Sequence, residues 1–229
     1  MTKREYAAIE AHMLEQMCDS AHDRRHVYRV LNAALDIARH VDDAVDMDVL
    51  LAACLLHDIG RERQFADPGL DHAEIGGEMA REFLLSLGWP AAKAAHVRDC
   101  IASHRYRGDN APQTLEAKIL FDADKLDATG ALGIVRTLIY CGQVGKPIYV
   151  LDENGNIAAH SEDGGKDTPS FIQEYNYKLK NVYESFYTVR AKEIAEMRRQ
   201  TAVDFYGGLF AEVAENIRGG IANAVFEDE

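Results

Sequence analysis

Three stretches of the chain carry side chains that could hold a metal ion and act on a phosphate. The first is Leu55-Leu56-His57-Asp58-Ile59-Gly60. Its His and Asp close a run, Val49 to Leu56, that is otherwise apolar. Burying both groups unpaired would cost several kcal/mol each. Asp58 also stands at the C-terminal end of its helix, where the macrodipole disfavours a negative charge. A bound cation removes both penalties, because it takes the imidazole and the carboxylate as ligands and neutralises the charge. The alternative is a His-Asp pair satisfied by local hydrogen bonds.

The second stretch is His22-Asp23-x-x-His26-x-x-Arg29-Val30. His22 and His26 are four apart and share a helical face if the helix begins early enough. His26 borders the apolar stripe through Val30 and points inward, as a ligand or as a satisfied core histidine. The third stretch is Phe121-Asp122-Ala123-Asp124-Lys125-Leu126-Asp127. Either it is a helix surfacing into solvent, or one aspartate is a ligand and Lys125 grips phosphate. Periodicity does not choose between Asp122 and Asp124. His72 and His104 lie near helix ends beside loops. They are inert surface groups or, with Arg105, a supporting layer or phosphate contact.

The elements that must position these groups are helical. Residues 4–18 give a first helix, and 23–40 a second with Asp23 as N-cap and Val27, Val30, Leu31, Ala34 and Ala38 as its stripe. Residues 46–59 read as a helix buried on all sides, with Gly60 as its C-cap glycine. A polar loop over 61–70 follows, then helices over 72–87, closed by Gly88, 90–104 and 114–128. Residues 145–168 differ. Ile148 to Leu151, the turn residues Asp152-Glu153-Asn154-Gly155 and Asn156 to His160 suggest a small hairpin or long loop. Residues 169–199 and 201–217 close the chain as helices. Their Phe171, Tyr175, Tyr177, Tyr183, Phe186 and Tyr187 are read first as core packing. The expectation is one all-α domain over 1–229 with an insertion at 145–168 that could cover a pocket.

Bulk composition narrows the function. The 229 residues are 47% hydrophobic and 28% charged, ordinary for a chain with a real core. A formal net charge of −13 is wrong for gripping a nucleic-acid polymer or an anionic membrane. An anionic substrate therefore needs a local positive feature, and a metal ion is one. Cys18, Cys54, Cys100 and Cys141 are widely spaced and read as free thiols. With no signal peptide and no run approaching the roughly 20 apolar residues of a membrane span, the expected setting is reducing and cytoplasmic.

A His on one helix, a His-Asp doublet 31 positions on (57 minus 26) and a downstream Ala-Asp-Lys-Leu together resemble the HD-domain superfamily of metal-dependent phosphohydrolases. The resemblance covers residues 20–130. His26-x-x-Arg29-Val30 looks like the family's first-ligand helix, Leu56 to Gly60 like its naming doublet, and Ala123 to Leu126 like its last-ligand segment. It thus implies His26, His57, Asp58 and Asp124 as metal ligands. Asp122 to Ala128 with Gly130-Ala131-Leu132-Gly133-Ile134, and the closing region from Tyr177 through Arg198, resemble a bacterial subgroup containing nucleotide pyrophosphohydrolases. Many relatives have Lys after the His-Asp-Ile-Gly; here Arg61 stands instead and can still contact phosphate.

Two imidazoles and two carboxylates suit Mn²⁺, Fe²⁺, Co²⁺, Ni²⁺ or Zn²⁺, and Mg²⁺ less. Asp58, Lys125, His72 and His104 are then the expected catalytic groups, ligating, stabilising phosphate charge or protonating a leaving group. Arg61, Arg105 and Asp122 are the expected substrate contacts. The expected partners are a small phosphorylated substrate, a nucleotide first, and a second copy of the chain. Two further readings stand beside hydrolysis: an oxygenase of the same fold with a second metal on His72 and His104, and a nucleotide sensor without turnover.

Overall fold

The computed structural model describes residues 1–16, 23–105, 110–159 and 170–219, which fall into two compact units. The first comprises 1–127 with 186–194; the second comprises 128–185 and the chain from 195 onward. Among the described residues there is no strand, and no helix is long and apolar enough to cross a membrane.

The first unit holds α1 (Lys3–Gln16), α2 (Arg24–Ala38), α3 (Met47–Leu56), α4 (Arg61–Ala66), α5 (His72–Ser86), α6 (Ala91–Ser103) and α7 (Leu115–Leu126). Helix α3 is its axis. Val49, Leu50 and Ala52 to Leu56 are all buried, and α1, α2, α5, α6 and α7 all pack on it. A helix apolar on every side has this as its stable place. Asp23 starts α2 as expected, accepting from the backbone N–H groups of Arg25 and His26 at 3.0 Å each. Asp46 starts α3 in the same way, from Asp48 and Val49.

The fold corrects the expected role of Gly60. Its φ is −80°, so it is not a left-handed C-cap; that place is taken by His57. Gly60 is required by closeness instead. A Cβ there would lie 2.2 Å from the carbonyl oxygen of His72 and 2.8 Å from the nitrogen of Gly76. Gly77 lets α5 approach α6 in turn, since its Cβ would meet the Arg98 carbonyl at 3.0 Å. The polar stretch 61–70 is not all loop, because Arg61 to Ala66 forms α4.

The second unit holds α8 (Gly130–Gln143), α9 (Phe171–Tyr177), a 3₁₀ turn (Leu179–Glu184) and most of α10 (Val189–Gly219), whose first residues belong to the first unit. Helix α8 lies where no helix is expected from the sequence, and the expected helices over 169–199 and 201–217 differ from those observed. In fact α10 continues through Gln200, and the chain is not α-helical from Leu179 to Thr188. The aromatic core expected here is present in part. Tyr206 stacks on Tyr175 at 3.5 Å and on Phe171 at 5.1 Å between ring centroids, whereas Tyr177 is exposed. The hairpin contracts to one antiparallel bridge, Leu151 to Ile157, around a turn whose Gly155 has φ +77°. Two short strands with no third partner gain too little to extend further. Cys18, His22 and the part of the insertion from His160 onward lie outside the described residues.

Candidate metal centre

Four histidines of the first unit surround Asp58. Two are near helix starts: His26 is third in α2, and His72 is first in α5. Two are helix C-caps: His57 ends α3 and His104 ends α6. All four are at most 1% exposed, as is Asp58. The Oδ2 of Asp58 faces Nε2 of His26 and of His57, each at 3.5 Å. Its Oδ1 faces Nε2 of His72 at 3.4 Å and of His104 at 3.7 Å.

Hydrogen-bond partners assign the tautomers. The Nδ1 of His57 lies 2.8 Å from the Cys54 carbonyl, and that of His104 lies 2.6 Å from the Ile101 carbonyl. The Nδ1 of His72 lies 2.7 Å from Oε1 of Gln64, whose amide nitrogen donates to the Leu70 carbonyl. The Nδ1 of His26 lies 2.7 Å from Oδ2 of Asp127. Each of these partners accepts, so each Nδ1 carries the hydrogen, and each ring in its neutral form keeps a lone pair on Nε2. Four lone pairs thus face the oxygens of one carboxylate, and the Nε2 atoms of His26 and His57 are only 3.2 Å apart. Asp58 Oδ2, His72 Nε2 and His104 Nε2 are buried with no hydrogen-bond partner. Leaving such atoms unmet is costly. A divalent cation would meet all of them, so the donor set fits a metal.

Two groups of three have ligand atoms mutually close enough to share an ion: His26, His57 and Asp58, and Asp58, His72 and His104. Asp124 lies beside the first, its Oδ1 3.4 Å from Nε2 of His26. Electrostatics favour ligand-ready states. Burial works to raise the Asp58 carboxyl, but the Arg61 guanidinium holds it well below the usual range. Asp124 behaves likewise, with the Lys125 ammonium overcoming its burial. Burial and the nearby Arg61 push His72 far below an ordinary imidazole, and burial lowers His104 as well.

The remaining expected residues fall into two sets. Arg61 donates from Nε to Oδ1 of Asp58 at 3.0 Å, and Lys125 donates to Oδ2 of Asp124 at 2.9 Å. Both therefore flank the donors with positive charge. Arg105 and Asp122 are engaged elsewhere. Arg105 donates to Oδ2 of Asp71, the N-cap of α5, at 3.0 Å. Asp122 accepts from the backbone N–H of Tyr187 and of Thr188 and from the Thr188 hydroxyl, at 2.9, 2.7 and 2.6 Å. Asp122, expected at the substrate, caps the chain entering α10. Two groups were not singled out from sequence: Asp127 behind His26 and Gln64 behind His72. Both are polar residues one or two turns from a ligand, which is the only signal that could have flagged them.

Residues 24–129 match the family model described as the HD domain. A crystal structure of a predicted HD superfamily hydrolase from an uncultured Thermotogales bacterium is 31% identical, with a TM-score of 0.59 and 92% of each chain covered. A Lactobacillus plantarum protein is 26% identical with a TM-score of 0.74, over 94% of this chain and 99% of its own. The uncharacterized protein YpgQ of Bacillus subtilis is 29% identical over 191 residues, 81% of this chain and 82% of YpgQ; its crystal structure in complex with ADP aligns with a TM-score of 0.68. With the candidate ligand residues gathered at one buried centre and a 31% identical relative matched over 92% of its length, the chain belongs to the HD-domain superfamily and carries its hydrolase fold.

Proposed function

We propose that the chain is a divalent-metal-dependent phosphohydrolase of nucleotides, with a nucleoside triphosphate, preferably a deoxynucleotide, cleaved to release pyrophosphate. The observation that carries this reading is the ring of unprotonated Nε2 atoms around Asp58, three of its buried donor atoms being unpartnered. His26, His57, Asp58 and Asp124 would hold one ion, and His72 and His104 with Asp58 a second. When bound, a divalent ion supplies Lewis-acid polarisation of phosphoryl oxygens and acidifies a water.

The protein's own groups divide the remaining work. Lys125 and Arg61, about one-fifth exposed at their side chains, place positive charge beside the donors where phosphate oxygens would lie. His72 and His104, protonated at Nδ1, offer Nε2 as a lone-pair donor and so are ligands before they are acids. The acidic surface excludes a polymer substrate and leaves the centre as the place for a small anion. The ADP complex of YpgQ supports a nucleotide. Three buried free thiols, Cys54, Cys100 and Cys141, suit a reducing, cytoplasmic setting.

The test is to strip the protein with chelator, reload it with manganese or nickel, and assay deoxynucleoside triphosphates with products identified. Monophosphate and pyrophosphate are expected. Full activity in Asp58→Ala, or no turnover on any phosphorylated metabolite, would overturn the reading. The second donor group, His72 and His104 on Asp58, favours one other reading, a two-metal oxygenase. Oxygen consumption with two ions bound and no phosphate ester cleaved would select it.

A further inference from the structure

We infer that Asp127 is a positioning residue that fixes the His26 ring and makes it the strongest imidazole donor of the centre. The inference rests on the metal reading above. Among the four rings, His26 alone has a carboxylate behind it, with Asp127 Oδ2 2.7 Å from its Nδ1. The others lean on the Cys54 and Ile101 carbonyls and on Gln64. A carboxylate accepting the Nδ1–H draws that proton and raises electron density at Nε2, which a neutral acceptor does less.

Asp127 is itself held. Arg29 donates from Nε to Oδ1 at 2.8 Å and from Nη2 to Oδ2 at 2.9 Å, a two-pronged grip that sets the plane of the carboxylate. Asp127 is 4% exposed and is the C-cap of α7, three residues after Asp124. Arg29 likewise follows His26 by three on α2. Each helix thus supplies one residue to the donor set and, one turn on, one to its support. A plain interhelical ion pair would need Arg29 and Asp127 but no imidazole on the shared oxygen.

The experiment compares wild type with Asp127→Asn and Arg29→Lys. Ring ¹⁵N spectra of the metal-free proteins report tautomers, and cobalt titration against a chelator reports each binding step per folded molecule. With its amide turned toward the ring, Asp127→Asn is expected to shift His26, and no other ring, toward the Nε2–H form. It should weaken the tighter cobalt step about 10–100-fold and leave the weaker step within about twofold. Arg29→Lys keeps the charge and loses the fork, so it should weaken the tighter step less and leave the tautomer in place. Wild-type cobalt affinity and wild-type ring signals in Asp127→Asn would overturn the inference, as would a lowered melting temperature with both readouts unchanged. If wild type retained no cobalt while Asp127→Asn still altered the His26 ring, the metal reading would fall and the positioning of His26 would stand.

Discussion

On one side of Asp58 its Oδ2 faces His26 and His57 at 3.5 Å each; on the other its Oδ1 faces His72 and His104 at 3.4 and 3.7 Å. By distance the two sides are near equals. They differ in what surrounds them. The first side adds a second carboxylate, Asp124, 17% exposed at its side chain, and backs His26 with Asp127. The second adds no carboxylate among the described residues, has both its rings buried, and backs His72 with the neutral Gln64. The difference predicts unequal affinity at near-equal donor geometry, graded by the charge behind and beside the donors.

Asp58→Ala is the severest way to break the comparison, since it removes the oxygens both sides share. Loss of several kcal/mol of charge stabilisation is expected to cut phosphate-ester turnover by about 1000-fold or more, with elemental analysis finding neither ion retained. A change of pH acts on the second side by protonating its rings. The folded values of His72 and His104 are depressed, so the stability they contribute is present above the ordinary imidazole range and lost as pH falls through it. Denaturation of the metal-free protein should show stability falling below about pH 6.5 by up to roughly 1.4 kcal/mol per pH unit for each ring, and His72→Gln should make that fall shallower.

Gly60→Ala sharpens the comparison by striking one side. The added methyl meets the His72 carbonyl, so the start of α5 must move. Overpacking of this kind costs about 1–3 kcal/mol, measurable as a lower denaturation midpoint, and the weaker metal step should suffer while the tighter one persists. The mildest test is Asp122→Ala. Loss of its cap to Tyr187 and Thr188 should cost about 1–2 kcal/mol, with turnover per folded molecule unchanged. Turnover lost out of proportion to stability would return Asp122 to the substrate.

Much of the scaffold is legible in the chain. The unbroken apolar run of α3 gives its central place, and Asp23 gives the start of α2, because both signals are local. The His57-Asp58 doublet announces itself by ending an apolar run. Periodicity leaves Asp122 and Asp124 open; the family resemblance favours Asp124, and the fold turns one to residues 187–188 and the other to His26. What stays hidden depends on distant approach. Asp127 meets its ring and its arginine across 101 and 98 positions of chain. Gly60 is explained by an α5 carbonyl, which no turn rule applied to its own neighbours could supply. The single bridge at Leu151 and Ile157 shows the reverse error, local strand signals with no sheet to join.

His57 and His104 each bond the carbonyl three residues back on their own helix. Those two rings are therefore aimed as soon as the ends of α3 and α6 form, before the chain has returned from elsewhere. His72 finds Gln64 eight positions back, whereas His26 meets Asp127 101 positions on. Three of the four rings can thus be set by short-range geometry, and the fourth waits for α7 to dock.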